Sequence, residues 1–380
     1  MGVSHLLEHM VFKGTRRRSA KEIALSLEQL GGSLDAYTSR EHTVYQARVL
    51  DEHLEVAADV IGDLVFEPVI RPNDLALERN VILEEIGMVE DTPDDLVFEL
   101  HNAAVWGDHP FGYSILGTRE SVSSLGVSEL KELHRRAYRP SQLIVAAAGS
   151  VDHDKLIDIL GRTGWTDRPA GKPRSRSIPE PKPAKASRRH VKREGSQTHI
   201  VLGSPTIGYH DPRRHAMVLL SVVLGGGMSS RLFQRVREEL GLAYSVYTFQ
   251  TFYSLCGVHG VYVGTAPKTA EAALHAIEDE LAKVVDTGLT PDEIAQGKGQ
   301  LKGQITLSLE SPTARMYRAA GVDLYGEPYR TLDEMLALVD AIDPRTVHEL
   351  AGEFFAPAKQ TVVSLGPQTA AAKRRSRRRG

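Results

Sequence analysis

Near the start of the chain, in Ser4-His5-Leu6-Leu7-Glu8-His9-Met10, a run of leucines and a methionine is interrupted by two histidines and a glutamate. The pattern predicts a half-buried helix. On a helix, residues four apart lie one above the other, so His5 and His9 can point at one atom while Glu8 flanks their face. Further on, Arg71–Ile86 and Thr290–Ile305 each open on a Pro-Asn or Pro-Asp N-cap signal followed by a helical pattern. Pro140–Gly149 and Pro357–Gly366 each end as a buried strand stopped by glycine.

These elements recur in order, so the two halves read as copies of one unit. His5 is followed 25 residues later by Leu30-Gly31, and His215 is followed 25 residues later by Leu240-Gly241. Ala36-Tyr37-Thr38-Ser39 and Ala243-Tyr244-Ser245 then each open a strand pair, and Arg71–Ile86 aligns with Thr290–Ile305 without a gap. Helices mixed with strand pairs in each half predict an α+β fold. The domains expected are 1–168, a proline-rich basic linker 169–192, 193–366, and a basic tail 367–380 that reads as disordered.

The repeat is an internal control. His5 faces His215, but Glu8 faces Val218 and His9 faces Leu219. The second copy therefore fills the same helix without the polar cluster, which moves the weight from packing toward chemistry. Two imidazoles and a carboxylate suit a catalytic zinc site, which needs a third protein ligand and an open position for water. Glu78 and Glu85, seven residues apart on one helix face, are candidates for that ligand, and the second copy has Gly297 and Gln304 in their place. Taken alone, H-x-x-E-H would arise by chance in on the order of one per cent of chains this long.

Composition narrows the field only modestly. The chain has 380 residues, of which 41% are hydrophobic, enough for a sizeable core. A net charge of -3 gives no reason to expect nucleic acid as a partner. A single cysteine, Cys256, excludes an internal disulfide and agrees with a reducing compartment. No apolar run reaches membrane-spanning length and no secretory signal is visible, so a cytoplasmic, bacterial location is expected. Gly225-Gly226-Gly227 lacks the surroundings of a phosphate loop and reads as a helix end and turn. His42 reads as a structural side chain.

The inverted motif His5-x-x-Glu8-His9, with Glu85 76 residues beyond His9, resembles the pitrilysin-type (M16) metallopeptidases. The resemblance runs through HLLEHMVFKGT, LGGSLDAYTSREHTVYQ, HPFGYSILGT and GGGMSSRLFQRVREELGLAYSVY, and so spans both halves. It is nearest to the branch of the mitochondrial processing peptidase β subunit and its bacterial relatives. It implies two homologous α/β-roll domains, each a sheet covered by helices, arranged as half of a clamshell. Family members carry one or two strands ahead of the zinc helix, and none is visible before His5 here.

The resemblance also implies roles. His5, His9 and Glu85 would bind Zn2+. Glu8 would be the general base acting on zinc-activated water, and Glu78 would orient a ligand. Arg237 and Tyr244 would match an arginine–tyrosine pair that binds the substrate backbone and the oxyanion, supplied across a dimer. Asp35, Ala36, Tyr37, Thr38 and Ser39 would form an edge strand to which a peptide adds itself. The expected activity is zinc-dependent endopeptidase cleavage of unstructured peptides or presequences by a homodimer, or by a heterodimer with an inert homologue. The competing reading is a non-catalytic peptide-binding or scaffolding subunit, a class that usually loses part of the His5, Glu8, His9 set.

Overall fold

The computed structural model describes residues 1–171 and 179–367. Most of the basic tail and part of the linker lie outside the described residues. Helices α1 (Val3–Val11) and α2 (Ala20–Glu28) lead into strands β1 (Ser33–Thr38) and β2 (Thr43–Arg48). Helices α3 (Leu54–Phe66), α4 (Pro72–Asp91), α5 (Pro93–Trp106), α6 (Arg119–Ser124), α7 (Val127–Ala137) and α8 (His153–Arg162) follow. Strands β3 (Arg188–Lys192) and β4 (Thr198–Thr206), α9 (Arg214–Gly225), the π-helical turn Phe233–Glu239, and strands β5 (Ala243–Phe252) and β6 (Gly257–Thr265) come next. Last are α10 (Ala270–Thr287), α11 (Pro291–Ser308), α12 (Pro312–Leu324), α13 (Leu332–Asp340), α14 (Pro344–Leu350) and β7 (Thr361–Gly366). The class is α+β, as the patterning predicts.

Local chemistry explains most boundaries. Ser19 and Glu22 close a capping box at α2, and Thr290 and Glu293 close one at α11, satisfying the first free N–H groups of each helix. Gly31 (φ 71°) and Gly241 (φ 57°) sit at equivalent places after a helix and before a strand pair. Both need the left-handed backbone that glycine adopts at little cost. α9 ends at Gly225 with Gly226 as its cap, the helix end and turn expected of the glycine run.

Of the described residues, Met1–Met88, Tyr113–Pro179 and Pro312–Leu324 form one compact unit, and Val89–Gly112, Glu180–Ser311 and Tyr325–Gly380 form the other. In the first unit, Leu6, Leu7, Met10 and Val11 of α1 are buried against Ile70, Leu75, Ile82 and Ile86. Burying each such side chain contributes roughly 1.5–3 kcal/mol, so the apolar face of α1 is firmly seated and the His5–Glu8–His9 side cannot turn inward. The β1–β2 hairpin is antiparallel, with Thr38 opposite Thr43, and β1 has no second strand partner among the described residues.

The second unit carries a five-stranded sheet in the order β3-β7-β4-β6-β5, with only the β3–β7 pair parallel. β6 is buried along its whole length, and β4 nearly so, because both sheet faces are covered. Val97 of α5 packs with Val201, Tyr262, Val363 and Leu365, while α9 and α10 place Met217, Leu220 and Ile277 in a core with Ile200, Leu202 and Val263. The units therefore do not follow the two halves of the sequence. Pro312 lies 219 residues after Pro93, the same offset that separates Thr290 from Arg71, so α5 and α12 are equivalent helices. α5 belongs to the unit formed mainly by the second half and α12 to the unit formed mainly by the first.

The strand expected at the end of Pro140–Gly149 is not formed. Its counterpart, β7, is paired on both sides, by β3 and β4. Among the described residues, 143–149 has no neighbouring strand to hydrogen-bond, and Ile144 and Val145 are 40% and 44% exposed. Between this segment and β2 runs a groove of about 570 Å³, lined by Tyr45, Ala47, Val49, Ile144 and Ala146. A strand needs partners as well as an apolar run, and here the run alone did not suffice.

Candidate metal centre

α1 and α4 build the site together. α4 buries Leu75, Glu78, Ile82 and Ile86 as one stripe at helical spacing. Glu78 thus takes a position that the pattern reserves for an apolar side chain, and Glu85 stands beside the stripe at its edge. On this helix Glu78 is buried while Glu84 is exposed.

His5, His9 and Glu85 converge, with ligand atoms all within 4.8 Å of one another. His5 Nε2 lies 3.6 Å from Glu85 Oε2, and His9 Nε2 lies 3.6 Å from Glu85 Oε1. Four-coordinate zinc with bonds near 2.0–2.2 Å spaces its ligands about 3.3 Å apart, so the three groups fit such an ion with little adjustment. The donor set, two imidazoles and one carboxylate with no fourth protein ligand in the cluster, is that of a site with an open position. Burial and the neighbouring His9 push the His5 imidazole down to about 4, so it stands neutral with a lone pair free to bind a metal.

Behind the cluster, His9 Nδ1 is 3.2 Å from Glu78 Oε2, and Glu78 Oε1 is 2.6 Å from Lys13 Nζ. Glu78 occupies one ring nitrogen of His9 and leaves the other aimed at Glu85. This is how a carboxylate fixes the tautomer and rotation of a metal-binding imidazole. Lys13 pairs with the buried Glu78 from the side away from His9. Glu78 stands out in the sequence and Lys13 does not. The signal was present, because Lys13 is one helical turn past His9 and next to the end of α1.

Glu8 is buried beside the cluster, and burial pushes its carboxyl above the ordinary range, opposed by the Thr38 hydroxyl and by His9. Thr38 donates to Glu8 Oε2 and lies 3.2 Å from Thr43 Oγ1. On β1 the side chains alternate: Leu34, Ala36 and Thr38 are half-buried, while Ser33, Asp35 and Tyr37 are exposed. Ser39 starts the turn, with its N–H and hydroxyl both donated to His42 O. Tyr37 packs near Tyr317, whose hydroxyl donates to Gln46. The His42 ring keeps a buried Nδ1 with no hydrogen-bond partner among the described residues.

Arg237 and Tyr244 lie in the other unit and contact each other there. Arg237 Nη1 donates to Tyr244 O at 3.0 Å, and the guanidinium carbon sits 4.5 Å from the centre of the Tyr244 ring and 4.7 Å from that of Phe233. Both residues occupy backbone irregularities. Arg237 is in the π-helical turn, and Tyr244 is the extra residue of a β-bulge between Ala243 and Ser245, 74% exposed. Such irregularities re-aim side chains and concentrate at functional sites. Hydropathy patterning does not reveal them.

Known proteins place this arrangement in context. Residues 1–119 match the model of the insulinase family, peptidase family M16, and residues 124–301 match that of the peptidase M16 inactive domain. An uncharacterized zinc protease of Streptomyces coelicolor is 40% identical over 96% of this chain and 81% of its own length. The uncharacterized zinc protease YmxG of Bacillus subtilis is 39% identical over 93% of this chain and 86% of its own. Among solved structures, a peptidase M16 inactive domain from Pseudomonas fluorescens superposes with a TM-score of 0.90 at 25% identity, covering 97% of this chain and 89% of its own. A protease from Helicobacter pylori shares the fold at a TM-score of 0.88, covering 96% and 89%. The inverted histidine motif, the paired halves and these likenesses agree, and the chain belongs to the M16 peptidase family.

Proposed function

We propose that this chain is a zinc-dependent endopeptidase that hydrolyses unstructured peptides or presequences. The observation that carries this reading is the convergence of His5, His9 and Glu85, with Glu8 buried beside them. In this role His5, His9 and Glu85 hold the metal, and Glu78, paired to Lys13, orients His9. Zinc bound there would polarise the scissile carbonyl and lower the pKa of a coordinated water toward 7. Glu8 takes the proton from the attacking water and delivers it to the leaving amine. The edge of β1 that has no strand partner among the described residues offers main-chain donors and acceptors to an extended peptide, which suits substrates without fixed structure. Asp35, Ala36, Tyr37, Thr38 and Ser39 are the proposed docking positions.

Arg237 and Tyr244 are proposed to bind the substrate backbone and the oxyanion from the partner in a homodimer. An exposed tyrosine beside a guanidinium presents the donors that such a role needs. No helix among the described residues is long and apolar enough to cross a membrane.

The test uses the purified chain. Metal content by mass spectrometry should approach one zinc per chain, and cleavage of an internally quenched, unstructured peptide should stop on chelation. Glu8→Gln should keep the metal while losing about 10²–10⁴-fold in turnover. Undiminished turnover would remove Glu8 as the base, and a metal-free, inactive wild type would remove the endopeptidase reading. Mixing inactive Glu8→Gln with inactive Arg237→Ala should restore part of the activity; no recovery would exclude a site shared between subunits.

A further inference from the structure

Thr38 is half-buried at the last position of β1, its side chain on the inner face with Leu34 and Ala36. Its hydroxyl donates to Glu8 Oε2 and lies 3.2 Å from Thr43 Oγ1, the residue directly opposite it on β2. The hydroxyl therefore engages one oxygen of the Glu8 carboxylate. The same strand presents the edge that has no other strand partner among the described residues.

A carboxylate at the end of a three-bond side chain has rotational freedom, and a base works only when the oxygen that takes the proton is aimed at it. α1 fixes the Cα of Glu8 but not its last torsion, a broad sp³–sp² rotation. Apart from Thr38, no hydrogen-bond donor to the Glu8 carboxylate is resolved among the described residues. We propose that Thr38 is a positioning residue: its hydroxyl holds Oε2 of Glu8 and leaves Oε1 to face the proton being moved, so base orientation is tied to the docking strand. The proposal rests on the endopeptidase reading. It assigns the Thr38 side chain to the base, whereas docking uses only the backbone of β1. Thr43, hydrogen-bonded across the hairpin, fixes which way the hydroxyl of Thr38 turns.

The experiment compares Thr38→Val, Thr38→Ala and Thr38→Ser with the wild type by kcat, KM, zinc content and Tm. Thr38→Val keeps shape and strand propensity but removes the donor. It should lower kcat about ten- to hundredfold with KM within about twofold and zinc content unchanged. Thr38→Ser should regain most of the lost kcat, since it restores the hydroxyl. In metal-free protein, where activity plays no part, Tm shifts of Thr38→Val and Glu8→Gln should be non-additive, as expected of directly bonded partners. Three results overturn the proposal: wild-type kcat in Thr38→Val, a rise in KM alone, or a Thr38→Ser variant no better than Thr38→Val. Should Thr38→Val fail to fold, Thr38→Ala is read against the same outcomes. An inactive wild type would overturn the endopeptidase reading and this one with it, whereas an active wild type with unaffected variants would overturn only the role of Thr38.

Discussion

Where α1 carries His9, α9 carries Leu219, and where α4 carries Glu78, α11 carries Gly297. In the second copy, a Cβ on Gly297 would lie 2.6 Å from Val223 Cγ2 and 2.8 Å from Leu219 Cδ1. α9 and α11 approach so closely there that a side chain at 297 would force Val223 or Leu219 to shift. In the first copy the equivalent pair is an imidazole and a carboxylate 3.2 Å apart, with Lys13 behind them. One helix pair thus serves either as a dry seam or as a polar cradle. The difference lies in a handful of side chains. Burying Glu78 between half-buried His9 and Lys13 costs solvation that the leucine–glycine seam avoids. That cost is offset by the pairing of the three groups and has no evident packing benefit, which is why it points to chemistry.

The largest effect should come from making the first copy resemble the second. His9→Leu or Glu85→Gln installs the residue type of the other copy and should abolish stoichiometric zinc binding, measured by mass spectrometry after dialysis, with circular dichroism unchanged. Retention of a full zinc complement by either variant would break the comparison. Lys13→Met comes next. It leaves Glu78 without its cation and should weaken zinc binding about 10–100-fold in a competition titration, as loss of support behind a ligand usually does.

Smaller effects should appear in stability. Gly297→Ala forces a methyl into the closed seam and should cost about 1–3 kcal/mol in urea unfolding. Val363→Ala in the paired β7, whose side chain is fully buried, should cost about 2–3 kcal/mol. Val145→Ala, at 44% exposure in the unpaired counterpart, should stay within about 0.5 kcal/mol. Equal losses at Val363 and Val145 would show that 143–149 is packed as a strand in solution.

The stability of the second unit should also depend on pH. Burial depresses His101 to about 4 and His259 to about 3, whereas both return to ordinary values on unfolding. With folded values lowered, the unfolded chain binds more protons below about pH 6.5. The stability these residues confer is therefore complete above that pH and falls as the pH drops toward 4 and then 3. A urea midpoint that is flat between pH 7 and 4.5 would contradict this. His259→Gln should reduce the slope, because one of the two titrating groups is gone.

Much of the site was legible from spacing. Residues four apart on α1 and seven apart on α4 must share faces if helices form, and the Pro-Asn signal after Arg71 marks the start of the second of those helices. The repeat added what a single copy could not, because Val218, Leu219, Gly297 and Gln304 showed that the polar set was optional for the fold. Legibility failed at 143–149, where an apolar run closed by glycine looks the same whether or not neighbouring strands exist to pair it. It failed also at Lys13 and Thr38, which look like a helix-end cation and a strand threonine until their partners are known.

By itself, then, the sequence determined the periodic elements, the two-copy organisation and the side chains that share a helix face, since those follow from backbone geometry over a few residues. Only the tertiary structure decided that Glu85 meets His5 and His9, that Thr38 reaches Glu8, and that α5 and α12 each pack in the other half's unit. Contacts between residues tens or hundreds of positions apart depend on how buried faces dock, and local spacing carries no record of that.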